Sequence, residues 1–531
     1  MVRIREVKVS ILEDHESVLL EKIAKKVSLP TSSILDYQIV KKSLDARDKN
    51  HILWIYEVDV SLLNEEKVLK KHPDLMVAPK EEYMFPVSGQ ENLEDSIVIV
   101  GSGPAGIFCA YLLAEAGYHP IVLERGEKIE DRIKTVEEFF QTNQLNVHSN
   151  IQFGEGGAGT FSDGKLNTLV KDKEFRGKKV FEILVENGAP PEIMYLSKPH
   201  IGTDILRKVM VSMREKILSW GGEIHYSSLV SDLVIEEGKI TGVVVNEEER
   251  IPCSILVLAI GHSARDTFTM LKEKNLMMRP KNFAVGLRME HPQKMINESQ
   301  YGAFSKYLPP ANYKLTHQSS NGRGVYTFCM CPGGYVVNAS SEEGRLAVNG
   351  MSNYLRDGEN ANSAVVVTVS EKDYGEGLFA GMEFQRRLEE RAYQLGHGLI
   401  PVQLYGDFVQ KKASGKLGEV VPSTMGKYSF ADLNSLFSPD ILFSLKEAIP
   451  AFGKKIHGFD REDAILLGVE SRTSSPIQIV RNEEGLSNIL GIYPCGEGAG
   501  YAGGITTAAM DGMRVAEWIA KKYRPFPDSK I

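Results

Sequence analysis

Residues 97–126 have the sequence IVIVGSGPAGIFCAYLLAEAGYHPIVLERG, and this stretch decides the fold. Four apolar residues at 97–100 predict a buried strand, and the glycines after them predict a tight turn. Apolar residues at helical spacing follow, and IVL at 121–123 predicts a second strand. A strand, a GxGxxG turn, a helix and a strand in this order are typical of a βαβ unit that binds a dinucleotide.

The residues of the turn have distinct physical roles in such a unit. Gly101 makes the tight turn, Gly103 leaves space for a pyrophosphate beside the backbone, and Gly106 permits close packing of helix and strand. Pro104 stands in the first helical turn, where its missing N–H costs nothing, so the free amides and the positive helix end can face phosphates. Glu124 ends the second strand and is placed for ribose hydroxyls.

Length and composition predict a globular protein of several units. The 531 residues predict about two to four units, and 42% apolar with 25% charged residues are ordinary globular values. The net charge of −8 gives no general attraction to nucleic acid or to anionic lipid.

The cysteines and the first residues favour a cytoplasmic protein. Five cysteines fit no even disulfide framework, which is typical of a reducing compartment. The N-terminal residues MVRIREVKVS lack the apolar core of a signal peptide. The apolar run 97–114 contains the glycine turn and Pro104, so no membrane span is predicted.

Residues 1–90 are predicted to form an N-terminal α+β accessory domain. Alternating apolar residues at 2–11 predict an edge strand, residues 16–27 predict a helix, and SILDYQIV and HILWIYEVDVSLL predict two strands. The turn between these two strands is basic, which is typical of a solvated hairpin tip or, alternatively, of a docking surface for RNA or an acidic partner. Three prolines within 71–95 predict a linker.

The following residues are predicted to form an α/β dinucleotide-binding domain with a parallel sheet, built from 91–280 and 466–531. Within it, FGEGGAGTFSDGKLNT (153–168) is a second glycine-rich stretch. So many small residues would let the backbone lie flat against a planar ligand. A further apolar strand ends at Gly261 and is expected to bring backbone to the cofactor edge.

The two halves of this domain are separated by a predicted inserted domain. Residues 281–465 alternate strand-like runs with glycine and proline turns, which predicts a mixed α+β domain on the substrate side. The C-terminal stretch 491–520 then predicts a strand, a glycine-rich crossing that contains Glu497, and a helix that starts near Gly504.

Seven motifs, spread over nearly the whole chain, point to one family. They are GSGPAG (101–106), FGEGGAGTFSDGKLNT, AIGHSARDTF, VYTFCMCPGG (325–334), VNGMSNYLRDGENANSA (348–364), GVESRTSSP (468–476) and YPCGEGAGYAGGI (493–505). In these motifs the chain resembles the two-dinucleotide-binding-domain flavoproteins. It is most similar to the bacterial and plastid family of uncharacterised FAD-dependent, or NAD(FAD)-utilising, dehydrogenases. The resemblance implies a Rossmann-like, glutathione-reductase-like FAD-binding domain and non-covalently bound FAD.

The resemblance also implies the residues of the cofactor site. The pyrophosphate of FAD would lie against the first glycine turn, and its adenosine ribose would lie at Glu124. The adenine would lie near Val230, and the flavin would lie along residues 157–165. Glu497, where many relatives have Asp, would bond the ribityl or pyrophosphate region. The complete implied set is Gly101, Ser102, Gly103, Pro104, Ala105, Gly106, Glu124, Arg125, Gly157, Ala158, Gly159, Thr160, Lys165, Val230, Ala259, Gly261, Gly496, Glu497, Gly504, Ile505 and Thr506.

The start of the C-terminal helix has a physical role in this arrangement. The N–H groups at Gly504, Ile505 and Thr506 would face the N1–C2=O edge of the flavin. Reduced flavin carries negative charge at that edge, and a helix N-terminus stabilises such charge.

Cys329 and Cys331 are candidate catalytic residues, because they end an apolar strand just before a Pro-Gly-Gly turn. Strand alternation would point both side chains to the same face. Three interpretations stay open: a thiol pair that exchanges electrons with FAD or touches substrate, structural packing, and metal binding. Two thiolates alone support metal binding poorly, so no metal site is expected.

Arg472, Arg288 and His291, together with His262 and Arg265, are candidates for binding an anionic substrate or positioning a proton. The alternative for each is a structural ion pair. Arg472 is the strongest candidate because small residues flank it just before the cofactor-binding segment.

Together these features predict a cytoplasmic FAD-dependent oxidoreductase that transfers hydride through flavin N5 to or from a small organic substrate, anionic if these cations bind it. One alternative is a flavin-dependent RNA-modifying protein, against which the acidic net charge weighs. Another is a flavin-bearing redox sensor or scaffold without turnover. The inserted segment 281–465 contains no GxGxxG, so NADH or NADPH is expected only as a transient electron donor. Substrate identity and oligomeric state are not predicted.

Overall fold

The N-terminal residues form a four-stranded sheet with two helices. The structure is a computed structural model that describes residues 1–168 and 170–526, so the last five residues of the predicted 466–531 segment lie outside the described part. The first elements are β1 (Val2–Ser10), α1 (Glu16–Val27), β2 (Ile34–Asp45), β3 (Leu53–Leu62), α2 (Glu65–Lys71) and β4 (Met76–Val77). The sheet order is β2-β3-β1-β4. The prediction of an edge strand at β1 is therefore wrong, because β4, within the predicted linker, pairs with its outer side.

The basic turn of this unit is partly neutralised by its own acids. Lys42 Nζ lies 2.7 Å from Asp14 Oδ2 and over the ring of Trp54. Arg47 donates to Asp45 at 2.6 Å. Such surface pairs add little stability, but they leave fewer free cations for a polyanion.

The βαβ unit predicted from the glycine fingerprint is confirmed. The elements from residue 97 to residue 273 are β5 (Ile97–Val100), α3 (Pro104–Glu115), β6 (Ile121–Leu123), α4 (Ile129–Thr142), α5 (Arg176–Glu186), α6 (Thr203–Ser219), β7 (Glu223–His225), β8 (Val230–Glu236), β9 (Lys239–Val245), β10 (Glu249–Pro252), β11 (Ile255–Leu258) and α7 (Arg265–Glu273). The second glycine-rich stretch contains one short 3₁₀ helix, Gly157–Phe161.

The later elements alternate short strands with helices. They are β12 (Met278–Pro280), β13 (Phe283–Pro292), α8 (Gln293–Tyr301), β14 (Thr316–Gln318), β15 (Gly324–Cys331), β16 (Tyr335–Asn338), β17 (Val348–Met351), β18 (Asn360–Val369), α9 (Glu371–Tyr374), α10 (Ala380–Leu395), β19 (Ile400–Leu404), α11 (Tyr405–Gln410), β20 (Thr424–Met425), β21 (Tyr428–Phe430), α12 (Pro439–Gly453), β22 (Ile465–Glu470), β23 (Ile477–Ile479), β24 (Ile492–Pro494) and α13 (Ile505–Lys522). Among the described residues, no helix combines the length and the apolar character needed to cross a membrane.

Five parallel strands form one sheet, in the order β24-β11-β5-β6-β7. Strand β11 pairs in parallel with β5 on one side and with β24 on the other. Strands from both ends of the sequence therefore share this sheet, and their carboxyl ends meet at one edge. Ligands of open parallel sheets bind at that edge. The predicted Rossmann-like fold with a parallel sheet is confirmed.

A seven-stranded sheet forms the centre of the inserted unit, in the order β14-β15-β18-β13-β22-β19-β21. Its described strands are antiparallel except for the pair β19 and β21, so the sheet is mixed as predicted. Strand β22 pairs with β13 and β19. Residues 466–470 therefore belong to this sheet, although the sequence pattern assigns them to the returning dinucleotide-binding segment.

Glycines let the two segments of the parallel sheet unit touch. Helix α13 packs against α3, and a Cβ atom at Gly512 would lie 2.0 Å from Ala105 O. A Cβ atom at Gly106 would lie 1.9 Å from Gly101 O. Neither position has room for a side chain, so both close approaches depend on glycine.

Glu290 is a carboxyl group buried inside the seven-stranded sheet. It lies on β13 with none of its surface exposed, and its oxygens accept from Ser423 N at 3.1 and 3.3 Å. Burial raises the pKa of Glu290 to about 8. A glutamate in an unfolded chain has a pKa of about 4.3, so the unfolded state loses its proton first as the pH rises.

The substitution Glu290→Gln is expected to change the pH dependence of stability. Between about pH 5 and pH 8 the unfolded wild-type chain is ionised at this position while the native state is not, so the free energy of unfolding falls across that window. A neutral glutamine removes this loss. The variant should therefore melt at a higher temperature than wild type near about pH 9, and at a similar temperature near about pH 5.

Thermal unfolding followed by circular dichroism measures this difference. Glu298→Gln makes the same chemical change on the exposed surface of α8 and serves as the control. An unchanged difference in melting temperature between Glu290→Gln and wild type across the pH range would contradict the prediction.

Candidate functional site

A cavity of about 380 Å³ lies where the parallel sheet meets the inserted unit. This volume falls within the range of small-molecule sites, about 300–1,000 Å³. Residues that follow four parallel strands line one side: Gly101, Glu124, Ala259 and Glu497. Phe328 and Cys329 of β15 line it from the inserted unit. The cavity is thus at the sheet edge where the fold places ligands.

The first glycine turn forms a wall of bare backbone. Gly101 has φ +99°, and a Cβ atom there would lie 2.5 Å from Ala259 O, so this position requires glycine. A Cβ atom at Gly103 would meet, among described atoms within 4 Å, only Gly157 Cα at 3.9 Å. Helix α3 begins at Pro104, and its free amides and dipole favour an anion at this wall.

Most of the cofactor residues predicted from the sequence line the cavity. They are Gly101, Gly103, Pro104, Ala105, Glu124, Arg125, Gly157, Ala158, Gly159, Lys165, Val230, Ala259, Gly261, Glu497, Gly504 and Ile505. Five others are buried behind the lining: Ser102, Gly106, Thr160, Gly496 and Thr506. These support the wall; for example, Thr506 Oγ1 donates to Leu166 O at 2.8 Å.

Glu124 has protein partners where the sequence predicts a ribose. Its carboxylate accepts hydrogen bonds from Ser102 N at 2.9 Å and Ser102 Oγ at 2.8 Å. It also accepts from Gly126 N at 2.9 Å and Gly154 N at 3.0 Å. A carboxylate has about four acceptor sites, so a ribose hydroxyl would share or replace one of these contacts. In this structure Glu124 joins the first glycine turn to the second glycine-rich stretch.

Arg132 is a structural residue of the site that sequence reasoning missed. It lies on α4, is fully buried, and burial lowers its pKa to about 9. Its guanidinium donates five hydrogen bonds to the second glycine-rich stretch and the residues just before it, at Asn150 O, Ile151 O, Glu155 O, Gly157 O and Thr160 Oγ1, over 2.7–3.0 Å. This one cation fixes the loop that forms a side of the cavity.

The C-terminal crossing brings an acid and a helix start to the cavity. Burial raises the pKa of Glu497 to about 7, and this side chain lines the cavity. Helix α13 begins at Ile505, and Cβ atoms at Gly503 and Gly504 would meet no described atom within 4 Å. The N-terminus of an eighteen-residue helix is thus exposed to the cavity.

The two cysteines of the inserted unit lie at different depths. Cys329 lines the cavity, whereas Cys331 is fully buried. The pairing of β15 with β18 shifts register between Phe328 and Cys331, and Cys329 has φ +44°. This bulge interrupts the strand alternation from which a common face is predicted, but the two cysteine side chains remain neighbours.

Arg288 and His291 lie in the interior rather than in the cavity lining. The Arg288 guanidinium is fully buried and donates to Glu470 at 2.9 Å. His291 Nε2 lies 2.6 Å from Phe459 O, and burial lowers the pKa of His291 to about 4. The geometry thus gives Arg288 the structural ion pair that the sequence leaves as an alternative, and gives His291 a neutral packing role.

Arg472 lines the cavity, but its donors are occupied. Its Nε and Nη2 atoms each donate to Glu389 at 2.9 Å. Its Nη1 atom donates to Ser341 at 2.6 Å and Ser263 at 3.0 Å. Arg265 binds the same fully buried Glu389. These contacts make Arg472 part of a structural network and leave little capacity for a ligand.

Lys165 is a cation of the cavity with a free donor. Its Nζ atom is buried and has no hydrogen-bond partner among the residues described. The nearest acid is Asp163, whose Oδ2 lies 3.7 Å away. Asp163 is itself engaged, because it binds the Arg356 guanidinium through both oxygens and accepts from Ser352.

These residues fit FAD. Two helix N-termini, those of α3 and α13, open on one cavity, and glycines lie in the lining beside both of them. A pyrophosphate and a flavin that gains negative charge on reduction both match such positive ends. The first glycine wall leaves space that a side chain at Gly103 would fill.

Comparison with protein families matches three parts of the chain. Residues 282–473 match the family described as FAD-dependent protein, C-terminal domain-like. Residues 99–153 match an NAD(P)-binding Rossmann-like domain. Residues 1–61 match a domain of unknown function.

Comparison with known proteins extends over the whole length. A protein of Clostridium beijerinckii, described as uncharacterized, is 49% identical over 98% of this chain and 99% of its own length. Thiamine thiazole synthase of Pyrococcus horikoshii is 28% identical over 29% of this chain and 48% of the synthase. The solved L-proline dehydrogenase of P. horikoshii has a TM-score of 0.35 and 14% identity, covering 81% of this chain and 94% of that one. The resemblance predicted from the motifs is confirmed: the chain belongs to the family of FAD-dependent oxidoreductases that includes the clostridial protein.

Proposed function

We propose that this FAD-dependent oxidoreductase transfers hydride through flavin N5 to or from a small organic anion that Lys165 binds. The observation that carries the proposal is Lys165, a residue of the cavity lining whose buried Nζ atom has no hydrogen-bond partner among the residues described. A buried ammonium group is costly unless a counter-charge lies nearby, and a bound carboxylate would supply that charge.

The charges around Lys165 support an anion rather than a cation as its ligand. Asp163 is the nearest carboxylate, but Arg356 already balances its charge through both oxygens. Arg472 is balanced in the same way by Glu389. The charges of Arg356, Lys165 and Asp163 therefore sum to one positive charge at this part of the wall. Lysine binds carboxylates as a point charge, without a required orientation.

The cofactor itself is assigned to the glycine walls. The N-terminus of α3, with Gly101 and Gly103, would hold the pyrophosphate. Glu497 would bind the ribityl region, and the N-terminus of α13 would face the pyrimidine edge of the flavin. Bound FAD supplies hydride acceptance and donation. We assign the parallel sheet unit to the glutathione-reductase-like class. We also propose that NADH or NADPH, where it is the electron donor, binds only transiently. The protein's own contribution is to bind, orient and desolvate the substrate anion beside Lys165.

Substituting Gly103 by valine is expected to weaken FAD binding while the chain still folds. Gly103 has φ −67° and ψ 178°, which suit any residue, and its Cβ direction is open towards the cavity. The valine side chain would occupy the space assigned to the pyrophosphate. We expect FAD binding to weaken by roughly tenfold or more, since about 1.4 kcal/mol of steric conflict suffices.

The measurement is the flavin absorbance per chain after gel filtration, followed by titration of the apo-protein with FAD. Gly324→Val is the matched control, because Gly324 is not part of the cavity lining and its Cβ atom would meet, among described atoms within 4 Å, only Thr368 Oγ1 at 3.6 Å. A Gly103→Val protein with the flavin content of wild type would overturn the assignment.

Lys165→Met is expected to weaken the binding of small carboxylates. In the FAD-loaded wild type, acetate, succinate or benzoate should perturb the flavin absorption spectrum as it enters the cavity. Loss of the ammonium group removes a charge-assisted contact, so the dissociation constant of the tightest of these probes should rise roughly tenfold or more. Spectral titration at fixed ionic strength measures it.

Lys208→Met, an exposed lysine of α6, is the charge-matched control and should bind as wild type does. Lys165→Arg keeps the positive charge and should retain most of the affinity. The proposal fails if none of the three carboxylates perturbs the wild-type spectrum, or if Lys165→Met binds them with wild-type affinity.

A further inference from the structure

Cys329 occupies a strained position in the wall of the cavity. It lies in the bulge of β15 between Phe328 and Cys331 and has φ +44°. Residues other than glycine, asparagine and aspartate rarely adopt this left-handed conformation. Such strain persists only where neighbours hold it, often at functional sites. The sulfur-bearing side chain lines the cavity assigned to FAD.

Two side chains clamp this conformation through the Cys329 carbonyl oxygen. Arg288 Nη1 donates to it at 3.1 Å, and Cys331 Sγ donates to it at 3.3 Å. Arg288 is fixed in turn by Glu470 at 2.9 Å and by Asn362 at 2.6 Å. Arg288 is therefore a positioning residue, which sets the direction of Cys329 without touching the cavity.

The surroundings separate the two sulfur atoms chemically. The neighbouring Cys331 thiol, together with the Lys165 and Arg288 charges, holds the pKa of Cys329 well below its ordinary value. The neighbouring Cys329 side chain, together with burial, raises the pKa of Cys331 well above its ordinary value. Cys329, which lines the cavity, is thus the cysteine of the pair that ionises first, and Cys331 lies behind it. A thiolate is the reactive form of cysteine.

We propose that Cys329 and Cys331 are a redox-active pair, which forms a reversible disulfide and exchanges two electrons with FAD in the cavity. When the pair is oxidised, the S–S bond forms and the S–H bond of Cys331 breaks. Two electrons and one proton leave the pair, and oxidised FAD takes up all three to become reduced FAD with one negative charge. The reverse step returns the thiolate and the thiol. The inference rests on FAD occupying the cavity, but not on the nature of the organic substrate.

The separation of Cys329 and Cys331 along the strand permits a disulfide bond between them. Two residues of an extended strand advance about 6.6 Å, while disulfides join Cα atoms about 4.4–6.8 Å apart. The bulge at Cys329 shortens the path below the extended value, because a left-handed residue is not extended. Glycine at position 350 provides the room for the inner sulfur, since a Cβ atom there would lie 2.7 Å from Cys331 Sγ.

Anaerobic titration of the air-oxidised, FAD-loaded protein with dithionite tests the proposal. Wild type should accept about four electrons per FAD, two for the flavin and two for the disulfide. Cys331→Ser and Cys329→Ser should each accept about two. Cys253→Ser removes a buried cysteine outside the cavity lining and should behave as wild type does.

A second measurement uses wild type alone and does not depend on the stability of any variant. Residues 324–345 form one tryptic peptide with Cys329 and Cys331 as its only cysteines. Alkylation in denaturant before digestion should leave this peptide unmodified in the oxidised protein, with a mass about two hydrogen atoms below that of the dithiol. After reduction it should carry two alkyl groups.

The pair would be excluded if oxidised wild type accepts about two electrons and its 324–345 peptide carries two alkyl groups. That result would leave the carboxylate proposal standing, because the Lys165 titration needs no disulfide. Conversely, a disulfide together with unchanged carboxylate binding in Lys165→Met would support the pair and reject the anionic substrate.

Discussion

The structure depends on contacts between backbones that leave no room for side chains. A Cβ atom at Gly106 would meet the Gly101 carbonyl oxygen at 1.9 Å, and one at Gly512 would meet the Ala105 carbonyl oxygen at 2.0 Å. The first contact seats α3 on its strand, and the second seats the C-terminal helix on α3. Both helices then begin beside one cavity, although about 400 residues separate their starts in the chain. Two positive helix ends at one place explain why this fold suits a dianionic cofactor.

A buried cation, Arg132, holds the second glycine-rich stretch in the shape that forms one side of the cavity. The second glycine-rich stretch has little side-chain mass with which to hold its shape, and ordering flexible backbone costs about 1–2 kcal/mol per residue. Arg132 offsets that cost with five hydrogen bonds, four of them to backbone carbonyl oxygens. A Cβ atom at Gly154 would lie 2.3 Å from Arg132 Cδ, so the loop and the arginine fit only because this residue is glycine.

Sequence patterns predicted what is local and missed what depends on distant partners. The β5–α3–β6 unit follows from hydrophobic period and glycine spacing, so its bounds were predictable. Strand β4 has two residues and no period, so nothing in the pattern could place β1 inside its sheet. Arg472 looks free in sequence because Glu389, which binds it, lies 83 positions earlier. Arg132 looks like a surface charge of an amphipathic helix, because its hydrogen-bond acceptors lie 18 to 28 positions later in the chain.

The buried pair of Arg288 and Glu470 is better explained by Cys329 than by stability. Desolvating two charges costs about as much as their attraction returns, so a buried ion pair is weak evidence of stabilisation. Here the arginine uses one nitrogen for Glu470 and another for the carbonyl oxygen of the strained Cys329. A hydrophobic pair of similar volume would fill the space but could not donate to that oxygen. The ion pair therefore fixes a conformation at the cavity, and the fold keeps it at little net gain in stability.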